Sequence, residues 1–115
     1  MNIAVVGGGV RCRILLELIE KHIFAELNPS IVAVADIKND APGLVKAKKT
    51  GLFITDDYNE FFDMDDVDLI IELTGDNEVF FDILSKKKKN VRAINHNTAR
   101  LFWEVGVSSI QEQNS

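Results

Sequence analysis

The residues best suited to do chemistry stand near the start of the chain. Gly7, Gly8 and Gly9 follow the apolar run "NIAVV" and lead within a residue into a helical pattern containing Arg11, Cys12 and Arg13. Bare main chain at a helix entrance suits an anion. No β-carbon blocks its approach, and the helix presents unpaired N–H groups and the positive end of its dipole. The spacing Gly7-x-Gly9-x-x-Cys12 is that of a turn cradling the diphosphate of a dinucleotide, provided it joins a strand to a helix within a βαβ unit. Gly7 then allows the tight turn, and Gly9 the close approach of the diphosphate. Cys12 stands where a third glycine normally lets helix and sheet pack closely. As a small apolar residue it can fill that place with a slightly wider gap; a redox or nucleophilic thiol is the alternative. Arg11 and Arg13 either clamp a phosphate or are solvated charges on the first helical turn.

Asp36 closes the next apolar run, "IVAVAD", at about the offset where a carboxylate accepts hydrogen bonds from an adenosine ribose. It would repel a 2′-phosphate and so favours NAD over NADP, while Lys38 two residues on pulls the other way. A polar strand end without ligand is the alternative reading. Glu72 lies inside the apolar run "VDLIIELTG", where an unpaired charge costs several kcal/mol; it needs a partner, structural or functional. Thr74 and Gly75 follow it, placed for a contact to the nicotinamide half. His96, in "INHN", is the side-chain type that exchanges protons near neutral pH, or else an ordinary loop histidine. The candidate binding residues are therefore Gly7, Gly8, Gly9, Val10, Arg11 and Cys12, then Asp36, Ile37 and Lys38, then Thr74, Gly75 and His96. No catalytic residue and no metal ligand set is assigned.

These residues need a scaffold that gathers strand ends. Near-continuous apolar runs over 2–6, 31–36, 52–54 and 67–73, and the shorter "VRAIN", read as buried strands. Helical patterns fall between them: 10–27, a short helix opened by Pro42 and closed by Gly51, a turn at "DDYNEFFDM" capped by Asp56 or Asp57, "DNEVFFDILSKKKK", and a final helix at "TARLFWEVGVSSI". Alternating strands and helices imply an α/β fold in three layers, a five-stranded parallel sheet of order 3-2-1-4-5 with helices on both faces. Such a sheet binds ligands outside the carboxyl ends of its strands, between strands one and four. The candidate residues lie at those ends.

Composition agrees with a soluble globular domain. The chain has 115 residues, 46% hydrophobic and 27% charged, with net charge −5 and a single cysteine. That charge disfavours a nucleic-acid partner, one cysteine suits a reducing cytoplasm, and no apolar run is long enough for a membrane span. The lysines of "SKKKKN" read as helix-end charges. The aspartates of "FFDMDDVD" lack the spacing of a calcium loop. In the last helix Ala99, Phe102, Trp103, Gly106 and Ile110 share one face and Leu101 and Val105 another, so a second apolar face wants a partner: a homodimer mate or a following domain. Residues 1–107 are read as the dinucleotide-binding domain and 108–115 as a polar tail bordering another domain.

The segments "VVGGGVRCRILLEL", "VAVADI", "APGLVKAKKTGLFITDDYNEFF", "VDLIIELTG" and "INHNTARLFW" together resemble the N-terminal Rossmann domain of the glucose–fructose oxidoreductase, homoserine and aspartate dehydrogenase group. Through "GGGVRC" and "NHNTARLFW" they resemble more closely a stand-alone Rossmann module at the N-terminus of some bacterial sensor histidine kinases. The dehydrogenase resemblance implies phosphate binding at Gly7, Gly9 and the Cys12 position, ribose binding at Asp36 and a nicotinamide-side contact at Thr74. The chain departs from that group after the fifth strand, where "NHN" replaces the catalytic Glu-Lys-Pro of several members, and it stops before a substrate domain. The reading favoured on these grounds is a regulatory NAD(H)- or nucleotide-binding sensor domain without its own catalysis, within a cytoplasmic signalling protein. The alternatives are the cofactor half of an NAD-dependent dehydrogenase, and a degenerate dimerisation module.

Overall fold

In the computed structural model, which describes residues 1–24 and 26–113, the last nine of these by backbone alone, the strands are β1 Asn2–Val6, β2 Ser30–Ala35, β3 Phe53–Thr55, β4 Leu69–Glu72 and β5 Arg92–Ile94. They form one sheet in the order β3-β2-β1-β4-β5, every pair parallel. The helices are α1 Val10–Glu20, α2 Pro42–Lys49, α3 Asn77–Lys86 and α4 His96–Gln113, with a 3₁₀ segment at Tyr58–Asp63.

Strand periodicity divides the core between two faces. Ile3, Val5, Leu69 and Ile71 turn toward α1, α2 and α4, where they meet Leu15, Leu16, Leu44, Ala47 and Ala99. Ala4, Val6 and Ile70 turn the other way, toward Phe61 of the 3₁₀ segment and Ile83 of α3. On β2 the alternation slips: Ile31 and Val34 share the first face, and Ala33 and Ala35 the second. The β1–β2 register shifts between Ile3 and Ala4, and one extra residue in β2 changes the parity.

The long first helix predicted over 10–27 ends at Glu20. His22 adopts φ 57°; its N–H donates to the Ile19 carbonyl and that of Ile23 to Leu18. These two bonds form a Schellman stop, built on a histidine where glycine is usual. At the other end of the chain α4 begins two residues earlier than its apolar pattern suggests. Asn95 Oδ1 accepts from the Thr98 N–H at 2.9 Å and caps the helix. Its backbone continues past residue 107 to Gln113. Ala99 is buried and Phe102 and Trp103 pack on the core, whereas Leu101 is 61% exposed. The side chains of Val105, Gly106 and Ile110, and residues 114–115, lie outside the described residues; residues 108–113, expected as a polar tail, have the backbone of α4.

Candidate functional site

The glycine turn joins β1 to α1 at the centre of the sheet's carboxyl edge. Gly7 has φ 107°, and a β-carbon there would lie 2.9 Å from the Leu73 carbonyl carbon. Only glycine fits without strain. Gly8 is clamped from both sides: its N–H donates to Asp36 Oδ2 at 2.7 Å, and its carbonyl accepts from the N–H groups of Gly43 and Leu44 at 2.7 and 3.0 Å. Gly8 thereby caps α2. Gly9 differs, because a β-carbon there would meet nothing within 4 Å. It is the N-cap of α1, which has no side-chain cap hydrogen bond, and the helical ladder begins with Arg13 N–H to the Gly9 carbonyl. The N–H groups of Val10, Arg11 and Cys12 therefore lack partners within the helix, beside an open approach.

Asp36 faces this turn. Besides holding Gly8, its Oδ1 accepts from the Lys38 N–H at 2.9 Å. An ionised carboxylate has about four acceptor positions, so about two remain. Asp36 also lines two adjoining clefts. One, of about 330 Å³, is bounded by Val6, Gly7, Ala35, Ile37, Asp56, Tyr58, Thr74, Asp76 and Val79. The other, of about 830 Å³, continues over Lys38, Asp40 and the end of β3. Tyr58 is fixed by its hydroxyl, which donates to Asp82 at 2.5 Å; burial and that carboxylate push the phenol up to about 12.

On the other side of β1, Glu72 ends β4 with 0% exposure. Four donors surround it. Oε2 accepts from the Thr74 hydroxyl and the Gly75 N–H, each at 2.8 Å. Oε1 meets the His96 N–H at 3.2 Å and His96 Nδ1 at 2.7 Å. Burial alone would raise its pKa, but hydrogen bonds from His96, Thr74 and Gly75 outweigh burial and hold it below the usual glutamate range. The partner that the isolated charge demanded is thus a histidine, a hydroxyl and two main-chain groups.

Several sequence-predicted residues come together at this edge and several do not act as expected. Gly7, Asp36, Ile37 and Thr74 line one cleft, and Lys38 the adjoining one. The Thr74 hydroxyl is committed, donating to Glu72 and accepting from the Asp76 N–H, so what it can offer a ligand is mainly its backbone. Gly75 takes φ 79° with its N–H on Glu72. Val10 and Arg11 are exposed at the mouth of α1, while Arg13 pairs with Glu17 at 3.7 Å. Cys12 packs against α2. Its side chain is 0% exposed, and a β-carbon on Gly43 would lie 2.6 Å from the Cys12 Cβ. The glycine missing from position 12 is supplied across the helix interface, at position 43. Burial, with Asp36 nearby, pushes the thiol up to about 12, which leaves it unreactive. Asp56, Tyr58, Asp76 and Val79 were not foreseen as cleft residues; the one sequence signal was Asp76 following "LTG" as the cap of α3. Among the described residues no cluster of His, Cys, Asp or Glu fits a metal ion, and no helix is long and apolar enough to cross a membrane.

Comparison with known proteins bears on this geometry. No protein-family model matches the chain, and no curated protein does. Solved structures do match. The chain is similar to homoserine dehydrogenase of S. aureus at pH 7.0, with 27% identity and a TM-score of 0.65 over 83% of this chain. The same enzyme at pH 6.5 gives 27% and 0.64, and at pH 7.5 gives 28% and 0.64. The chain spans 25% of the length of these enzymes. The similarity supports a Rossmann-like domain of dehydrogenase type and lends nothing to the sensor-kinase module.

Proposed function

We propose that the chain is the dinucleotide-binding part of a nicotinamide-dependent dehydrogenase. The observation that carries this is the α1 entrance, where N–H groups without helical partners open beside Gly9 and Asp36 keeps free acceptor positions next to them. The similarity to homoserine dehydrogenase supports the same reading over a sensor role. A bound nicotinamide ring would supply the hydride-exchanging carbon. The chain's own contribution would be to position it: main chain at Gly9 to Cys12 would hold the diphosphate, the Asp36 carboxylate would take the ribose diol, and the cleft over Ile37 and Val79 would cover the base. With strand order β3-β2-β1-β4-β5, the other half of the ligand would then cross β1 toward β4 and β5.

The same cleft favours NAD over NADP. Asp36, Asp56 and Asp76 line it, and the adjoining cleft adds a single cation, Lys38, so a 2′-phosphate would meet mainly carboxylates. Calorimetric titration with NAD⁺ and NADP⁺ tests both statements. Binding of NAD⁺ at least tenfold tighter, with Asp36→Ser narrowing the gap, is the expected result. No heat with either cofactor overturns the dinucleotide reading, and equal affinities overturn the selectivity.

A further inference from the structure

The smaller cleft beside Asp36 presents side-chain acceptors and no free side-chain donor. Its apolar walls are Val6, Ala35, Ile37 and Val79, joined by the Tyr58 ring. That ring is held twice, by the hydroxyl's bond to Asp82 and by an edge-on contact with Phe62, 6.2 Å between ring centroids. At about 330 Å³ the space suits a planar heterocycle packed on an aromatic side chain. Its polar atoms are one-sided. Two hydroxyls line the cleft and both donate elsewhere, Thr74 to Glu72 and Tyr58 to Asp82. Asp36, Asp56 and Asp76 add carboxylates, which when ionised only accept. Lys38 and Asn39, which do carry donors, line the adjoining cleft.

We propose that this cleft selects a base bearing an exocyclic amine, adenine, over a 6-oxopurine. This rests on the dinucleotide reading above. The 6-amine of adenine carries two donor hydrogens and meets groups able to take them. Asp76 gives Oδ1 to the Glu78 N–H at 2.9 Å and keeps its second oxygen, and Asp56 stands exposed at the rim. With hypoxanthine in place of adenine, an oxygen lone pair faces the same carboxylates, and the hydrogen moves to the ring nitrogen beside it. The exchange forfeits a hydrogen bond and sets acceptor against acceptor. Both hydroxyls of the cleft are spent as donors, so neither serves the oxo group. In an open cleft the loss should be roughly fivefold in affinity, the net worth of one ordinary hydrogen bond.

The experiment is calorimetric titration with NAD⁺ and with nicotinamide hypoxanthine dinucleotide, which differ only in the base, followed by proton NMR of both mixtures. Tyr58 is the one tyrosine in the chain, so its ring signals identify themselves. NAD⁺ should bind roughly fivefold tighter or more, and saturation with it should shift the Tyr58 ring protons. Asp56→Asn combined with Asp76→Asn brings amide donors to the cleft while asparagine keeps the α3 cap. The gap should then narrow below about twofold. Wild-type affinities that are equal or reversed, a gap unchanged in the double variant, or Tyr58 signals unmoved by bound NAD⁺ each overturn this proposal and leave the dinucleotide reading intact. Absence of binding by both dinucleotides overturns the two together. The wild-type comparison decides the matter even if the double variant fails to fold.

Discussion

Two glycines two residues apart should fail in opposite ways when each is replaced by alanine. At Gly7 the new β-carbon meets the Leu73 carbonyl carbon at 2.9 Å with φ at 107°. A left-handed strain of about 1–3 kcal/mol adds to an overpacking cost of about 1–3 kcal/mol. About 3 kcal/mol is a moderate total. With about 2.1 cal/mol/K of unfolding entropy per residue over 115 residues, the melting temperature of Gly7→Ala should fall on the order of 12 °C. At Gly9 nothing lies within 4 Å of the new carbon, and φ is −80°. Stability should move by less than about 1 kcal/mol. The methyl group instead occupies the approach to the α1 N–H groups, and NAD⁺ affinity should drop at least tenfold, about 1.4 kcal/mol. Thermal unfolding and calorimetric titration of both variants supply the four numbers. A Gly9→Ala protein that binds NAD⁺ as the wild type does would refute the diphosphate's placement. A Gly7→Ala protein of unchanged stability would refute the packing argument.

Other outcomes follow from the same contacts. Glu72→Ala leaves a half-buried histidine, a hydroxyl and two main-chain donors without their acceptor and should cost about 1–3 kcal/mol by denaturant unfolding. Because the folded pKa of Glu72 is depressed, its contribution is present above the unfolded glutamate value and lost as pH falls through the folded one. Acid unfolding of the wild type should therefore lose stability below about pH 4.3, with a shallower slope in Glu72→Gln. Gly43→Ala, whose β-carbon would lie 2.6 Å from Cys12 Cβ and 2.8 Å from the Gly8 carbonyl, should destabilise sharply. Adding Cys12→Gly should restore part of that loss and no more, since the carbonyl remains, as a two-variant melting comparison will show. Tyr58, the one tyrosine in the chain, should ionise near 12 in an ultraviolet titration of folded protein, and a midpoint near 10 would deny its bond to Asp82.

The fold was legible because buried parallel strands write themselves as apolar runs, and "IAVV", "IVAVA" and "LIIE" became β1, β2 and β4. The glycine turn and Asp36 were legible too, since backbone geometry and a strand end leave a local mark. What escaped depends on residues far apart in the chain. The end of α1 rests on a histidine adopting a left-handed conformation, for which no local residue type speaks. The acceptor for the His96 N–H is Glu72, on another strand. The Cys12 substitution makes sense only beside Gly43, which a crossover brings against it. Cleft residues Asp56, Tyr58 and Asp76 arrive from two different connections, and spacing along the chain carries no record of their meeting.

The most direct test is a backbone amide NMR titration with NAD⁺. The account predicts the largest shifts at Gly8 through Cys12, with a second group at Ile37 and Lys38 beside the Asp36 carboxylate. Shifts confined to other surfaces, with the amides of Gly9 to Cys12 unmoved at saturation, would contradict it.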